Sequence, residues 1–250
     1  MAERRTASEE DVTTAALPDE PPLDNAVWAS LTTHHALLAE VHGRARRFPV
    51  DVSPFCAVDS LDGGSWSDLA GLVEPGGTAV LFRDEINPAP DGWTTQFAGG
   101  GVQMVLPPGT DLPDPSGAPD PGTVRELDGS DVDAMLELVQ LSRPGPFERG
   151  THRLGRYVGI VEDGRLVAMA GERLRFPGVT EISAVCTHPD AQGRGLASFL
   201  THVVAGGIVR RGERPILHVT HDNPARRVYE RLGFRPRRDV AFAVLQAPSR

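Results

Sequence analysis

Apolar residues follow two periods along this chain, and the switches between them outline its elements. Residues 1–23 are polar, acidic and proline-containing, and are expected to form a mobile tail. Asp24 is placed to cap a helix through Val27, Leu31, Leu37, Leu38 and Val41 that ends near Gly43. A short helix fits Ser65–Val73, capped by Ser65 or Ser67, and strands fit Thr78–Phe82, Trp93–Phe97 and Val102–Leu106. Residues 107–122 then hold 6 Pro and 3 Gly among 16, the composition of a semi-rigid linker.

Past the linker the order is clearer. Thr123–Leu127 reads as a strand and Ser130 caps a helix through Val132, Met135, Leu136 and Val139. Tyr157–Glu162 and Arg165–Arg175 flank Asp163-Gly164, a strong two-residue hairpin signal, and Thr180–Thr187 follows. From about Gln192 a helix places Leu196, Phe199, Leu200, Val203 and Val204 on one face, with Gly206-Gly207 as a point where it ends or bends. Ile216–Thr220 is a strand, Pro224–Leu232 a helix and Val240–Leu245 a last strand. The order β-α-β-β-β-α-β-α-β predicts an α/β (α+β) fold, a mixed sheet with helices on its faces. Two units are expected, 24–106 and 123–250, joined by the linker at 107–122.

Charge sharpens this division. All 25 basic residues are Arg, with no Lys. Residues 1–120 carry 6 Arg against 19 acidic residues, a balance of −13, whereas residues 121–250 carry 19 against 15, or +4. Hydrophobic content of 40% excludes a wholly disordered chain. No apolar run reaches a membrane span, and the first residues lack the apolar core of a secretory signal. A cytoplasmic location is therefore expected. Cys56 and Cys186 are too few for a disulfide framework or a thiolate zinc site, and no metal is expected.

The informative stretch is Val185-Cys-Thr-His-Pro-Asp-Ala-Gln192-Gly-Arg-Gly195-Leu-Ala197. Gly193 and Gly195 let backbone approach a ligand closely, and the first amides of the following helix have no intrahelical acceptor. With the helix dipole they form an anion site, to which Arg194 would add a charged donor. About thirty residues on stands Asn223-Pro-Ala-Arg-Arg-Val-Tyr229-Glu-Arg-Leu-Gly233-Phe234. Together these resemble the two signature elements of the GNAT superfamily of acyl-CoA-dependent N-acetyltransferases, over roughly residues 123–246. Gln192, Gly195 and Ala197 match the first element; Asn223, Ala225, Tyr229, Gly233 and Phe234 match the second. The run Glu181-Ile-Ser-Ala-Val-Cys-Thr-His-Pro is similar to the branch with glycine N-acyltransferase-like domains.

The resemblance implies a GNAT-type, largely antiparallel sheet and the following roles. Backbone from Gln192 through Gly193, Arg194, Gly195 and Leu196 to Ala197 would cradle a CoA pyrophosphate. Val185, Cys186 and Thr187 would run beside the pantetheine arm, with the Val185 amide polarising the thioester carbonyl. Asn223 would bond the pantetheine, and Tyr229 would protonate the leaving thiolate. Strand alternation puts Glu181, Ser183, Val185 and Thr187 on one face, with Glu181 about 13 Å upstream of Val185. Glu181 is the candidate general base, and Glu172 its rival. The same alternation turns Cys186, with Ile182 and Ala184, toward the core as a small hydrophobe rather than a nucleophile.

His218, His221 and the His34-His35 pair read as structural, and the Arg run at 226–238 as CoA-pocket basicity rather than a nucleic-acid surface. The expected reaction is direct transfer of an acetyl group from acetyl-CoA to a small primary amine, with Arg143 or Arg149 near the acceptor. The rivals are a protein or peptide N-acetyltransferase and a catalytically silent acyl-CoA-binding module. Residues 24–106 read as a degenerate half of the same fold, acting as scaffold or covering the acceptor groove.

Overall fold

The computed structural model describes residues 21–112 and 124–249. Most of the expected tail, residues 1–20, and most of the expected linker, residues 113–122, lie outside them. The helices are α1 (Pro21–Asp24), α2 (Ala26–Leu31), α3 (Gly63–Val73), α4 (Val132–Ser142), α5 (Leu196–Arg210) and α6 (Arg226–Arg231). The strands are β1 (Glu40–His42), β2 (Ala45–Arg47), β3 (Phe55–Val58), β4 (Thr78–Arg83), β5 (Thr94–Val105) and β6 (Val124–Leu127). They continue with β7 (Tyr157–Glu162), β8 (Arg165–Phe176), β9 (Val179–Thr187), β10 (Arg214–Thr220) and β11 (Arg235–Gln246).

The eleven strands of the described residues form one sheet in the order β1-β2-β3-β4-β11-β5-β10-β9-β8-β7-β6. Neighbours are antiparallel except β3–β4 and β9–β10. The parallel pairs mirror each other, each joined through a helix, α3 in one half of the chain and α5 in the other. The last strand of each half crosses over: β5 pairs with β10, and β11 pairs with β4, so the two halves interlock at the β5–β11 centre.

Alternation sorts the core onto two faces. Leu217, Val219, Val102, Met104 and Ile182 pack with α5 and Tyr229 of α6. Ile216, Val105, Val80 and Leu174 pack with α2, and Tyr157, Met169 and Cys186 with α4, on the opposite face. At 25 cal/mol per Å², each fully buried large side chain in these clusters contributes on the order of 1.5–3 kcal/mol.

Several expectations change. The long first helix stops at Leu31, because the Thr32 and Thr33 hydroxyls bond back to the Trp28 and Ala29 carbonyls. Leu37 and Val41 are consequently exposed, and Val41 lies in the β1–β2 hairpin that turns at Gly43 (φ +50°). Asp62, not a serine, caps α3 through the Ser65 amide, and Asp128 with Asp131 forms the box that opens the turn into α4. The strands expected at Trp93–Phe97 and Val102–Leu106 are one strand, β5. Gly206 and Gly207 do not interrupt α5, which runs on to Arg210.

β5 comes close to β10 at Gly101. A Cβ built there would stand 2.5 Å from the Val219 carbonyl oxygen, a backbone atom that cannot step aside. Gly101→Ala is therefore expected to push β5 off β10 and lower stability by about 1–3 kcal/mol, read as an earlier midpoint in guanidinium chloride. A variant as stable as wild type would refute this close approach.

Candidate active site

The site starts as a failure of pairing. β9 and β10 run parallel only from Val179↔Arg214 to Ile182↔Leu217 and then part, while β10 stays bonded to β5 as far as Thr220. On its other edge β9 bulges. Gly171 faces Ser183 and Met169 faces Cys186, so Ala170 alone opposes Ala184 and Val185. Ala184 takes up the extra length at φ +53°, a conformation costly for any residue with a Cβ. The opening between the strands is a cleft of about 1080 Å³ that passes between the sheet's two faces.

The bulge overturns the expected alternation. Ile182 and Val185 pack in the α5 cluster, while Ala184 and Cys186 pack against α4. Glu181, Ser183, Val185 and Thr187 therefore do not share one face, because the extra residue resets the phase at Ala184. Burial pushes the Cys186 thiol up to about 12, so it stays protonated and is no nucleophile.

On the α5 face, Gln192, Gly193, Gly195, Leu196 and Ala197 line the cleft, and the helix dipole of α5 points into it. Gly193 (φ +78°) has no heavy atom within 4 Å of where its Cβ would be, and Gly195 (φ +78°) is the N-cap of α5. Arg194, expected as a charged donor to the ligand, turns away. Its guanidinium makes a two-pronged pair with Glu162 at 2.6 and 2.9 Å. Arg231 of α6 lines the cleft instead and has no acidic partner within 4 Å among the described residues. Its place in the Arg run of α6 was visible in the sequence, but not its direction.

Asn223 lines the same end, where its Oδ1 accepts from the Ala225 amide and shapes the entry to α6. The Thr187 carbonyl accepts from the Ser142 hydroxyl at 3.2 Å, so it is not wholly open. The Thr187 Oγ1 is buried in the cleft wall with no hydrogen-bond partner among the described residues. An orphan hydroxyl, open glycine backbone and an unpaired arginine together suit a long, polar, anionic ligand such as a CoA thioester. Tyr229, 8% exposed, lines the cleft beside them. Burial, with the nearby Cys186, pushes its phenol up to about 12.

Glu181 does not reach the cleft directly. It is 1% exposed and is gripped by Arg173 through Nε at 2.8 Å and Nη2 at 2.6 Å. His218 Nδ1 lies 2.7 Å from the same carboxylate. Burial alone would raise this carboxyl, but the Arg173 guanidinium and the His218 bond outweigh it and hold it at about 2. Such a carboxylate is a weak proton acceptor. The His218 Nε2 is 3.0 Å from the Gln103 amide nitrogen. Gln103 is oriented by Arg237, which donates to its Oε1 at 3.0 Å, so the amide donates and Nε2 accepts. Nδ1–H therefore donates to Glu181, and both ring nitrogens are engaged. Glu172, the rival base, is buried elsewhere on Arg211 at 3.0 Å. Asp222 is the one carboxylate among the lining residues.

On the α2 and α4 face the lining comes largely from residues that motif reading passed over. Arg143, in the left-handed conformation at the end of α4, lines the cleft with Pro144–Pro146, whereas Arg149 pairs with Asp133 on the exposed surface. Phe55 of β3, Phe82 of β4, Phe97 of β5 and Phe242 of β11 join Arg173 and His218 there. Nothing local marks these phenylalanines; only the crossed strands bring them to the site. Among the described residues there is no cluster of three or more His, Cys, Asp or Glu that could hold a metal, and no helix long and apolar enough to cross a membrane.

Comparison with known proteins supplies the family. Residues 157–243 match the family model described as FR47-like protein. A solved structure assigned to the GNAT family of acetyltransferases, from Novosphingobium aromaticivorans, is 36% identical, with a TM-score of 0.80 over 90% of this chain and 98% of that one. GCN5-related proteins from Kribbella flavida (20% identity, 90% and 95% covered) and Streptococcus suis (16%, 90% and 96%) share the fold at a TM-score of 0.57 each. No curated protein matches significantly. With the parted strands, the bulge and the glycine-opened α5 on one side of the sheet, the chain belongs to the GNAT family of acetyltransferases.

Proposed function

We propose that this protein transfers an acetyl group from acetyl-CoA to the primary amine of a small molecule, by direct attack in a ternary complex. The observation that carries this reading is a cleft crossing the sheet: the anion-suited α5 end opens on one face and an apolar wall on the other. Donor and acceptor would thus meet between β9 and β10 from opposite sides. Backbone from Gln192 to Ala197, with Arg231, would hold the pyrophosphate, while Asn223 and Val185 through Thr187 would line the pantetheine. The Val185 amide would polarise the thioester carbonyl, and Tyr229 would return a proton to the sulfur. Glu181 would act through His218, fixing that ring at the cleft, rather than as the base itself. The similarity to glycine N-acyltransferase-like domains supports a free amine over a peptide acceptor, and a cytoplasmic setting suits the donor.

Residues 24–106 would be a degenerate copy of residues 123–250. The mirrored parallel pairs and exchanged last strands support that reading, and the lack of a Gln-x-x-Gly-x-Ala signature at the start of α3, where only Gly63-Gly64 stands, makes the copy a wall rather than a second site.

A silent acyl-CoA-binding module is the second reading, favoured by the engagement of Glu181 and both His218 nitrogens. Thiol release from acetyl-CoA, followed across a library of primary amines, separates the two. Turnover with at least one amine is expected; CoA binding without release for any amine would leave only the module.

A further inference from the structure

Resting on the acyl-transfer reading, we infer that the acceptor end is an aromatic subsite selective for primary amines bearing an aryl or bulky apolar group. The wall is built from four strands. Phe55 and Phe82 stack with centroids 5.6 Å apart, and Phe97 and Phe242 meet edge to face at 5.7 Å. Phe82 and His218 meet edge to face at 4.5 Å, which ties the wall to the residue at the point where β9 and β10 part. The Arg173 guanidinium carbon lies 5.0 Å over the Phe55 ring.

Charge beside the phenylalanines is spent internally. Arg173 is neutralised by Glu181, and both nitrogens of the His218 ring are bonded to Glu181 and Gln103. Arg143, beside Pro144–Pro146, is the one cation on this wall without an ion pair among the described residues, and apolar area and π faces make up the rest of the recognition surface. Phe97 is 55% exposed, a large ring left open to water at the cleft wall. A bound aryl group would cover it; glycine has nothing to offer it. This narrows the acceptor away from the small amino acids that family likeness alone suggests.

The test measures binding of 2-phenylethylamine, ethanolamine and glycine to the purified protein by calorimetry, with and without saturating CoA, alongside thiol release from acetyl-CoA. 2-Phenylethylamine is expected to bind and turn over at least about tenfold better than the other two, the worth of one well-packed aromatic contact. Phe97→Ser, at an exposed position, and Phe82→Leu, which keeps most of the volume, should each remove most of that preference by raising KM for the aryl amine. Affinity for CoA should stay unchanged in both. Equal binding of the three amines, a preference for glycine, or an aryl preference untouched by either variant would overturn the subsite while leaving acyl transfer standing. Failure of CoA binding, or of thiol release with every amine, strikes the acyl-transfer reading instead, because the amine-binding comparison is read directly.

Discussion

Tyr229→Phe is expected to lower kcat with acetyl-CoA by about 10²- to 10⁴-fold, the usual worth of a positioned general acid. Affinity for CoA should not change, because only a hydroxyl is lost and the ring keeps its packing in the α5 cluster. A phenol pushed up to about 12 is a weak acid, and in water it would give its proton to a thiolate reluctantly. The cleft changes the recipient as well. Burial lifts the Cys186 thiol, in the same cleft wall, to about 12. Desolvation in the cleft would raise the proton affinity of a thiolate formed there as well, which offsets part of that reluctance. The same shift keeps Tyr229 protonated past the ordinary phenol value near 10, so turnover should show no alkaline loss from this group on approach to that pH. Steady-state kinetics with direct measurement of CoA binding decide the matter. A Phe variant with wild-type kcat would remove Tyr229 from the chemistry.

Glu181→Gln is expected to cost about 3–5 kcal/mol of stability at neutral pH, because it leaves the buried Arg173 charge without its counter-ion. Arg173→Met combined with Glu181→Leu should recover much of the loss, since an apolar pair replaces the ion pair without an orphan charge. Acid should act in the same direction. The Arg173 guanidinium and the His218 bond hold the Glu181 carboxyl at about 2 in the folded chain, below its ordinary 4.5, so the folded state binds fewer protons. Its contribution is complete above the unfolded value and drains away as pH falls from about 4.5 toward 2. Chemical denaturation across that range reads the effect. A Gln variant as stable as wild type, with an unchanged acid limb, would show the pair to be worth nothing.

The sequence revealed what depends on near neighbours. The loop from Gln192 to Ala197, the Asp163-Gly164 hairpin, Asn223 and Tyr229 are local features, and each stands where their spacing put them. What escaped depends on partners distant in the chain. The bulge at Ala184 is a matter of register against β8, so alternation alone misassigned the faces from Glu181 to Thr187. Glu181 was legible as a chemistry-bearing residue, but its grip by Arg173 and His218 was not, because those side chains come from two other strands. β11 begins at Arg235, five residues before the apolar run that marked it, since its polar first half is held by pairing with β5 rather than by burial. The short strands β1 and β2 carry no period long enough to read, and Phe55 and Phe82 carry no mark of a site at all.

The exchange of last strands has a consequence for synthesis. β11 is the last of the eleven to be made, yet it belongs between β4 and β5, which emerge more than a hundred residues earlier. Until it arrives, β4 and β5 each keep a bare edge, the kind of surface that recruits stray strands. The centre of the sheet therefore closes in one late, long-range step, slow by its contact order and exposed to aggregation while it waits. Neither half has a finished sheet to offer on its own. A ribosome carrying the first two hundred residues would hold a protein whose acceptor wall is still missing Phe242 and whose two halves have not yet been joined.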